Sequence, residues 1–398
     1  MKRVCVVTGS RAEYGLLKPL LHQFKNSESI ELQLVVTGMH LNHEFGSTWK
    51  LIVADGFEIH HKVQMLIGSD TSNAVSKSVG LGLIGFADVL DDQKPDLIIV
   101  LGDRFEILPA AVASVLYQVP LAHIHGGELT YGAYDDQIRH AITKMASLHF
   151  VATEDYLRRV IQMGETPTNV WDVGGLGVDS IVNTNLMSLK ELEKSLDFQF
   201  ADRNLLITFH PETSTEKDPQ AQIGAVLEAL ETVEANLIFT MPNADNEGRK
   251  ILDLLKIFVE KNKTTARLYP SLGQKRYYSA IKYVDGVIGN SSSGLLEVPS
   301  FKKGTINVGT RQQGRIMAES IICCDAEVDD IKCAIEKLYS PRFREKLKSV
   351  TNPYGQGGAA KKIFDIIDQY NLFDLKKIFN DSHDHSNTIA SLKNYHDT

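Results

Sequence analysis

Leu97-Ile98-Ile99-Val100-Leu101-Gly102-Asp103-Arg104 is an unbroken apolar run stopped by glycine and followed at once by two opposite charges. A strand apolar on every side chain has no face to offer water, which is the habit of parallel strands covered by helices on both sides. The same grammar recurs at Val4–Val7, Leu32–Val36, Leu121–Ile124, Phe150–Ala152, Leu205–Phe209, Leu237–Thr240, Gly286–Ile288 and Thr305–Val308. Segments with helical apolar spacing lie between, as in Leu16-Leu17-Leu20-Leu21-Phe24 and Ile223-Val226-Leu227-Leu230. Alternation of this kind predicts an α/β fold built on parallel sheets. Most of the runs end in glycine-containing turns, and in open α/β sheets ligands bind beyond the carboxyl ends of strands.

Residues 174 to 203 separate two such series, so the sequence predicts two Rossmann-like domains facing across a cleft, with the ligand between them. The boundaries set this way are 1–173, 174–370 and a polar tail 371–398. The stretch Gly355–Tyr370 reads as a last helix packing back on the first domain.

The 398 residues carry 42 basic and 50 acidic side chains, a net charge of −8, with 43% hydrophobic residues. That balance fits a soluble globular chain and supplies no broad basic surface for nucleic acid. No apolar stretch approaches the ~20 residues of a membrane span. The start, Met1-Lys2-Arg3 running into Val4–Val7, is too short for a signal peptide, so a cytoplasmic location is expected. Cys5, Cys323, Cys324 and Cys333 have neither zinc-site nor disulfide spacing and read as reduced packing residues. No metal is expected.

Gly80-Leu-Gly82-Leu-Ile-Gly85 matches the dinucleotide fingerprint, but no strand precedes it and one continuous helical pattern runs through it. Close helix packing is the expected role of these glycines.

Chemistry gathers at the strand ends. Arg11, in Gly9-Ser10-Arg11-Ala12-Glu13, stands where a helix begins, either as a surface residue or as a ligand for phosphate oxygens. In Gly289-Asn290-Ser291-Ser292-Ser293-Gly294-Leu295-Leu296-Glu297 a strand ends and small hydroxyl residues open a helix. The direct physical reading is a diphosphate on that helix start, with Glu297 accepting from a ribose diol; a plain capping run is the alternative. Arg311 adds a cation from a neighbouring strand end.

The first half carries Asp103 and Arg104 after one strand and His123-Ile124-His125-Gly126-Gly127-Glu128 at the end of the next. Asp135 and Asp136 open a helix in which Asp135 is expected to face Arg139 at i, i+4. Carboxylates and a histidine on adjacent strand ends form a natural acid/base set. His210, in Phe209-His210-Pro211-Glu212, ends a strand of the second half.

Taken together, these motifs resemble the hydrolysing UDP-N-acetylglucosamine 2-epimerases of bacterial sialic acid synthesis, from about residue 3 to 370 and in the same order. The resemblance implies a glycosyltransferase-B-like fold, a cytoplasmic homodimer or homotetramer, and no metal or nicotinamide cofactor. It implies conversion of UDP-N-acetylglucosamine and water to N-acetylmannosamine and UDP. By the matching positions Asp103, His125 and Asp135 fall at the sugar, supported by Arg104, Glu128 and Asp136. Arg11, His210, Asn243, Ser291, Ser292, Glu297 and Arg311 fall at UDP. Relatives that release a UDP-linked product carry a carboxylate where this chain has His125.

The sugar C2 proton lacks an adjacent carbonyl, so inversion needs transient oxidation or elimination across C1–C2. With no credible nicotinamide site, elimination is the expected route. Asp103 and Asp135 are then expected to handle the C2 protons, with His125 assisting and His210 helping the departing diphosphate. Two other readings stay open: the same reaction on a UDP-2,4-diacetamido-trideoxy sugar, and a UDP-sugar glycosyltransferase.

Overall fold

Continuous apolar runs become central strands because helices cover both of their faces. The computed structural model describes residues 1–69, 71–130, 134–210, 218–241, 248–371 and 377–381. It divides into two units, Met1–Ser180 with Gly357–Thr398, and Ile181–Gln356. The sequence sets the junction at 173/174; the contacts divide the chain inside the helix Leu176–Asn183.

The first unit holds β1 (Lys2–Thr8), β2 (Ile30–Thr37), β3 (His61–Val63), β4 (Leu97–Leu101), β5 (Leu121–Ile124), β6 (Leu148–Val151) and β7 (Val170–Asp172). They form one parallel sheet in the order β3-β2-β1-β4-β5-β6-β7. One face packs on the helix Arg11–Lys25, whose Leu17, Leu20, Leu21 and Phe24 are buried with Val4, Val6, Leu97 and Ile99. The other face packs on the helices Ser72–Gln93 and Leu108–Leu116 through Phe86, Val89, Ala110 and Ala113. Burying each such aliphatic or aromatic side chain contributes roughly 1.5–3 kcal/mol.

The helix Ala359–Gln369 belongs to this unit and lays Ala359, Ala360, Ile363 and Ile367 into the same core as Leu17. Its first N–H groups, orphans at any helix start, are taken by Asp179: Ala359 N–H donates at 3.0 Å and Ala360 N–H at 2.6 Å.

The second unit holds β8 (Asn204–Thr208), β9 (Asn236–Thr240), β10 (Ala266–Tyr269), β11 (Gly286–Gly289), β12 (Gly304–Val308) and β13 (Ile321–Cys324). These are also parallel, in the order β10-β9-β8-β11-β12-β13. In both sheets the strand order reverses once, between β1 and β4 and between β8 and β11. A crevice opens at such a reversal, beyond the strands' carboxyl ends.

The cysteine expectation needs correcting. Cys5 is buried, but Cys323 and Cys333 are exposed, because the edge strand β13 and the outer face of the helix Val328–Tyr339 turn them to water. The helix Ser72–Gln93 runs without a break through Gly80, Gly82 and Gly85. A Cβ at Gly82 would lie 2.8 Å from Pro109 Cγ and one at Gly85 2.7 Å from Val63 Cγ1, so those two glycines serve close packing. Among the described residues no helix is long and apolar enough to cross a membrane, and no side-chain cluster is placed to hold a metal ion.

Candidate functional site

At the reversal point of the first sheet, β1 ends in Gly9-Ser10-Arg11 and β4 in Gly102-Asp103-Arg104. Ser10 caps the helix Arg11–Lys25 by accepting from Glu13 N–H, and Arg11, its first residue, is exposed. Arg104 is gripped in bidentate fashion by the fully buried Glu106, at 2.8 and 3.1 Å, which fixes the plane of its guanidinium. Glu106 sits so close under β1 that a Cβ at Gly9 would lie 2.8 Å from its own Cβ.

Beside it, Glu13 is buried and accepts from Gly9 N–H at 2.7 Å through Oε2, while Oε1 has no partner. Burial, with the Glu106 charge adding to it, pushes the Glu13 carboxyl up to about 8 from an ordinary 4.5. Glu13 therefore keeps its proton on folding across a window in which the unfolded chain has lost it, and stability falls as pH rises through that window. Glu13→Gln is expected to flatten this dependence. Melting temperatures taken between about pH 6 and pH 9 check it, and a variant as pH-sensitive as the parent refutes the assignment.

The sequence pairs Asp135 with Arg139; the structure corrects this. Arg139 is buried and forms its ion pair with Asp103, while Asp136, one turn away on its own helix, lies 3.9 Å from Nη1. The helix Tyr134–Met145 buries Arg139 where it reaches the end of β4, and Asp135, four residues earlier, feels the Arg139 charge without forming an ion pair with it. Asp136 staples the entry to that helix by accepting from Thr130 N–H at 2.7 Å. Asp135 is pushed up to about 6, first by burial and then by the charge of Asp103. A carboxyl titrating near neutrality next to a second carboxylate is the pairing that acid/base catalysis uses.

His123, fully buried on β5, is pulled down to about 3 by burial and is therefore neutral. Its Nε2 donates to the Gly102 carbonyl at 2.7 Å and Nδ1 lies 3.0 Å from the Thr143 hydroxyl. It thus ties the residue before Asp103 to the helix that carries Arg139.

His125 has a left-handed backbone, φ 63°, a conformation uncommon outside glycine and stabilised here by its N–H donating to the Phe150 carbonyl at 2.9 Å. Nε2 accepts from Leu176 N–H at 3.3 Å, which leaves the proton of a neutral ring on Nδ1, 3.4 Å from Glu128 Oε1. Both ring nitrogens are engaged, and His125 and Glu128 form one unit.

In the second sheet the reversal point joins His210, after β8, to Asn290, after β11. Asn290 is buried; its Oδ1 accepts from His210 N–H at 2.8 Å and its Nδ2 donates to the His210 carbonyl at 2.9 Å. The Asn290 carbonyl in turn accepts from Arg311 at 2.9 Å and Gln312 at 2.8 Å. Asn290 therefore binds three strand ends together. His210 is drawn down to about 4 by burial and by Arg311, so its ring is neutral at physiological pH.

The helix expected after Ser291 is only one turn, Ser293–Leu296, giving way to a 3₁₀ turn at Val298–Phe301, because Pro299 cannot continue it. Ser291 and Ser292 are half-buried ahead of that turn. Glu297 accepts from Tyr278 at 2.9 Å and from Ser293, and burial raises its carboxyl. A carboxylate has about four lone-pair sites, so acceptor capacity for a diol remains. Asn243 lies outside the described residues.

Sequence reasoning missed Glu13, Glu106, Asn290, Gln312 and Tyr278, and placed His123 at a strand end without giving it a role. Only Asn290 carried a signal, an amide lodged between a strand-ending glycine and a serine run.

The chain is 42% identical over 345 residues to the GDP/UDP-N,N'-diacetylbacillosamine 2-epimerase (hydrolyzing) of Campylobacter jejuni, covering 86% of this chain and 89% of that one. It is 39% identical over 356 residues to polysialic acid biosynthesis protein P7 of Escherichia coli, covering 89% and 90%. The fold matches the crystal structure of UDP-GlcNAc 2-epimerase from Neisseria meningitidis bound to UDP-GlcNAc, with a TM-score of 0.79 at 19% identity over 92% of this chain and 99% of that one. Residues 22–368, which take in every strand of both sheets except β1, match the family described as UDP-N-acetylglucosamine 2-epimerase: the chain belongs to that family.

Proposed function

We propose that the chain is a hydrolysing UDP-N-acetylglucosamine 2-epimerase of sialic-acid-type synthesis, acting in the cytoplasm as a homodimer or homotetramer. The observation that carries the reaction class is the Asp103–Asp135 pair at the reversal point of the first sheet, one carboxylate ion-paired to Arg139 and the other raised to about 6.

The reaction starts with removal of the C2 proton. The C–H electron pair becomes the C1–C2 double bond, and the C1–O pair leaves with UDP. Water then adds hydroxyl at C1 and a proton returns to the opposite face of C2, giving N-acetylmannosamine and UDP. Two groups on different sides of the ring are required. Asp103 is assigned as the base and Asp135, able to hold a proton near neutrality, as the acid. His125 assists one of these transfers, with Glu128, 3.4 Å from its Nδ1, supporting the ring.

Arg11 and Arg311 stabilise the departing diphosphate, with Ser291, Ser292 and Asn243 as further donors and Glu297 on the ribose, while Arg104 and Asp136 support the groups at the sugar. The neutral ring of His210 serves as a hydrogen-bond donor to it.

Incubation with UDP-N-acetylglucosamine in heavy water tests this. The expected result is UDP release with deuterium at C2 of N-acetylmannosamine. UDP retained until an acceptor is added, with no deuterium at C2, overturns it in favour of a glycosyltransferase. The name of the Campylobacter relative favours a second substrate, a UDP-2,4-diacetamido-trideoxy sugar, and the product mass from each substrate distinguishes the two.

A further inference from the structure

Glu106 is threaded between strand ends that give way to it. A Cβ at Gly9, after β1, would lie 2.8 Å from the Glu106 Cβ, and one at Gly38, after β2, would lie 2.6 Å from its Cγ. Gly38 also holds a φ of 55°, a conformation that favours glycine. The Glu106 stem is fully buried between these two backbones, so its carboxylate has little room to move. Ile107 N–H donates to the Arg104 carbonyl at 3.2 Å and holds residues 104 to 107 in one tight turn after β4. The hydrogen bonds of the Arg104 side chain go to Glu106, in the bidentate grip, and to Met39 Sδ at 3.4 Å. Its charge is felt at Glu106, Glu13 and Asp135. Glu13 keeps its proton at neutral pH and offers no charge, so Glu106 and Asp135 are the carboxylates that compete for this guanidinium.

We infer that Glu106 is a positioning residue for the acid step: it anchors Arg104 away from Asp135, so that Asp135 keeps the proton it delivers to C2 while the cation stays in the site for the substrate. A guanidinium is a planar fork, and the Nε–Nη2 edge committed to Glu106 is not available to Asp135. Released from that grip, Arg104, whose side chain is 41% exposed, is free to turn to Asp135. A cation closing to hydrogen-bond distance favours the ionised carboxylate, and the acid would lose its proton. The groups facing Asp135 are Asp103 from the end of β4, Arg104 and Glu106 from the turn that follows, and Tyr134 and Arg139 from its own helix. Burial raises the Asp135 carboxyl most and Asp103 next, Arg104 and Arg139 oppose them, and the direct charge of Glu106 is the weakest of these influences. The leverage of Glu106 on Asp135 therefore runs through where it puts Arg104.

The inference rests on the proposal that Asp135 is the acid of an epimerase, and pH–rate profiles of UDP release, taken per folded molecule of the full chain, test the two separately. An acid must hold its proton, so the limb that Asp135 sets falls as pH rises. Glu106→Gln keeps the shape and loses the charge. It is expected to move this limb to lower pH, with the rate at about pH 7.5 lowered about tenfold, the rate at about pH 5 lowered much less, and KM within a few fold. Arg104→Gln removes the group through which Glu106 acts, so adding Glu106→Gln to it is expected to leave the limb nearly in place. The double variant also serves where Arg104→Gln alone, left with a buried and unpaired glutamate, fails to fold: its limb is expected at or above the native position. A native chain that releases no UDP from either candidate UDP-sugar overturns the proposed function and this role with it. A limb unmoved by Glu106→Gln, or moved equally with and without Arg104, overturns the positioning role and leaves the epimerase standing. A double variant whose limb stays at the low position of Glu106→Gln overturns it as well.

Discussion

Asp103→Asn is expected to lower kcat by about 10²–10⁴-fold, the range that a positioned acid/base group contributes, while KM moves no more than a few fold. Asparagine keeps the shape and can still accept from Arg139 at the end of β4, but it cannot take a proton. Removing the Asp103 charge also removes the largest cause, after burial, that raises Asp135; the Glu106 charge adds a smaller one. The limb of the residual pH–rate profile that Asp135 sets is therefore expected to move to lower pH. Arg139 is left buried beside a neutral partner; breaking a fully buried pair costs about 3–5 kcal/mol, and the partial exposure of Asp103 lowers that figure. Rates are accordingly compared per folded molecule, with UDP release as the assay. A variant retaining more than about a tenth of the parent kcat removes Asp103 from the chemistry.

Gly289→Ala is expected to destabilise the second unit by on the order of 4 kcal/mol or to prevent its folding. Gly289 has φ 140°, and a Cβ there would stand 1.9 Å from the carbonyl oxygen of Thr208, its register partner on β8. Backbone blocks the space, so no side-chain shift relieves the clash, and the φ is itself strained for any residue with a Cβ. Gly224→Ala, the same chemical change inside the helix Pro219–Glu231, is expected to stabilise by up to about 1 kcal/mol. Its added methyl meets nothing within 4 Å. Urea denaturation of the two variants should show opposite signs, and equal effects would refute the steric argument.

How much of this could be read beforehand follows from where each residue sits. The central strands were legible because a strand covered on both faces spells a continuous apolar run, as Leu97–Leu101 does. The strands left unread, β3, β7, β10 and β13, are the four sheet edges. They run to three or four residues and mix buried with partly or fully exposed positions, so a segment such as Val170-Trp171-Asp172 carries no period to detect.

The site divided in the same way. Asp103, Asp135 and Arg104 announced themselves as charges directly after strands or at a helix start. The partner of Arg139 did not, because spacing rules see only one helix and the ion pair comes from β4, far away in the chain. Glu13 and Glu106 were invisible for another reason. A glutamate in the first turn of a helix reads as a surface residue favoured by the helix dipole, and nothing in the sequence reports that Glu13 lies under the end of β1.

The return of the Ala359–Gln369 helix to the first sheet orders events on the ribosome. The second unit, one uninterrupted stretch from Ile181 to Gln356, leaves the exit tunnel as a whole and can close its core during elongation. The first unit cannot: Leu17, Leu21 and Phe24 wait for Ile363, Ile367 and the Phe364 ring, which sits 6.0 Å from that of Phe24. A chain cut short ahead of Ala359 therefore leaves this apolar surface wet and open to proteases.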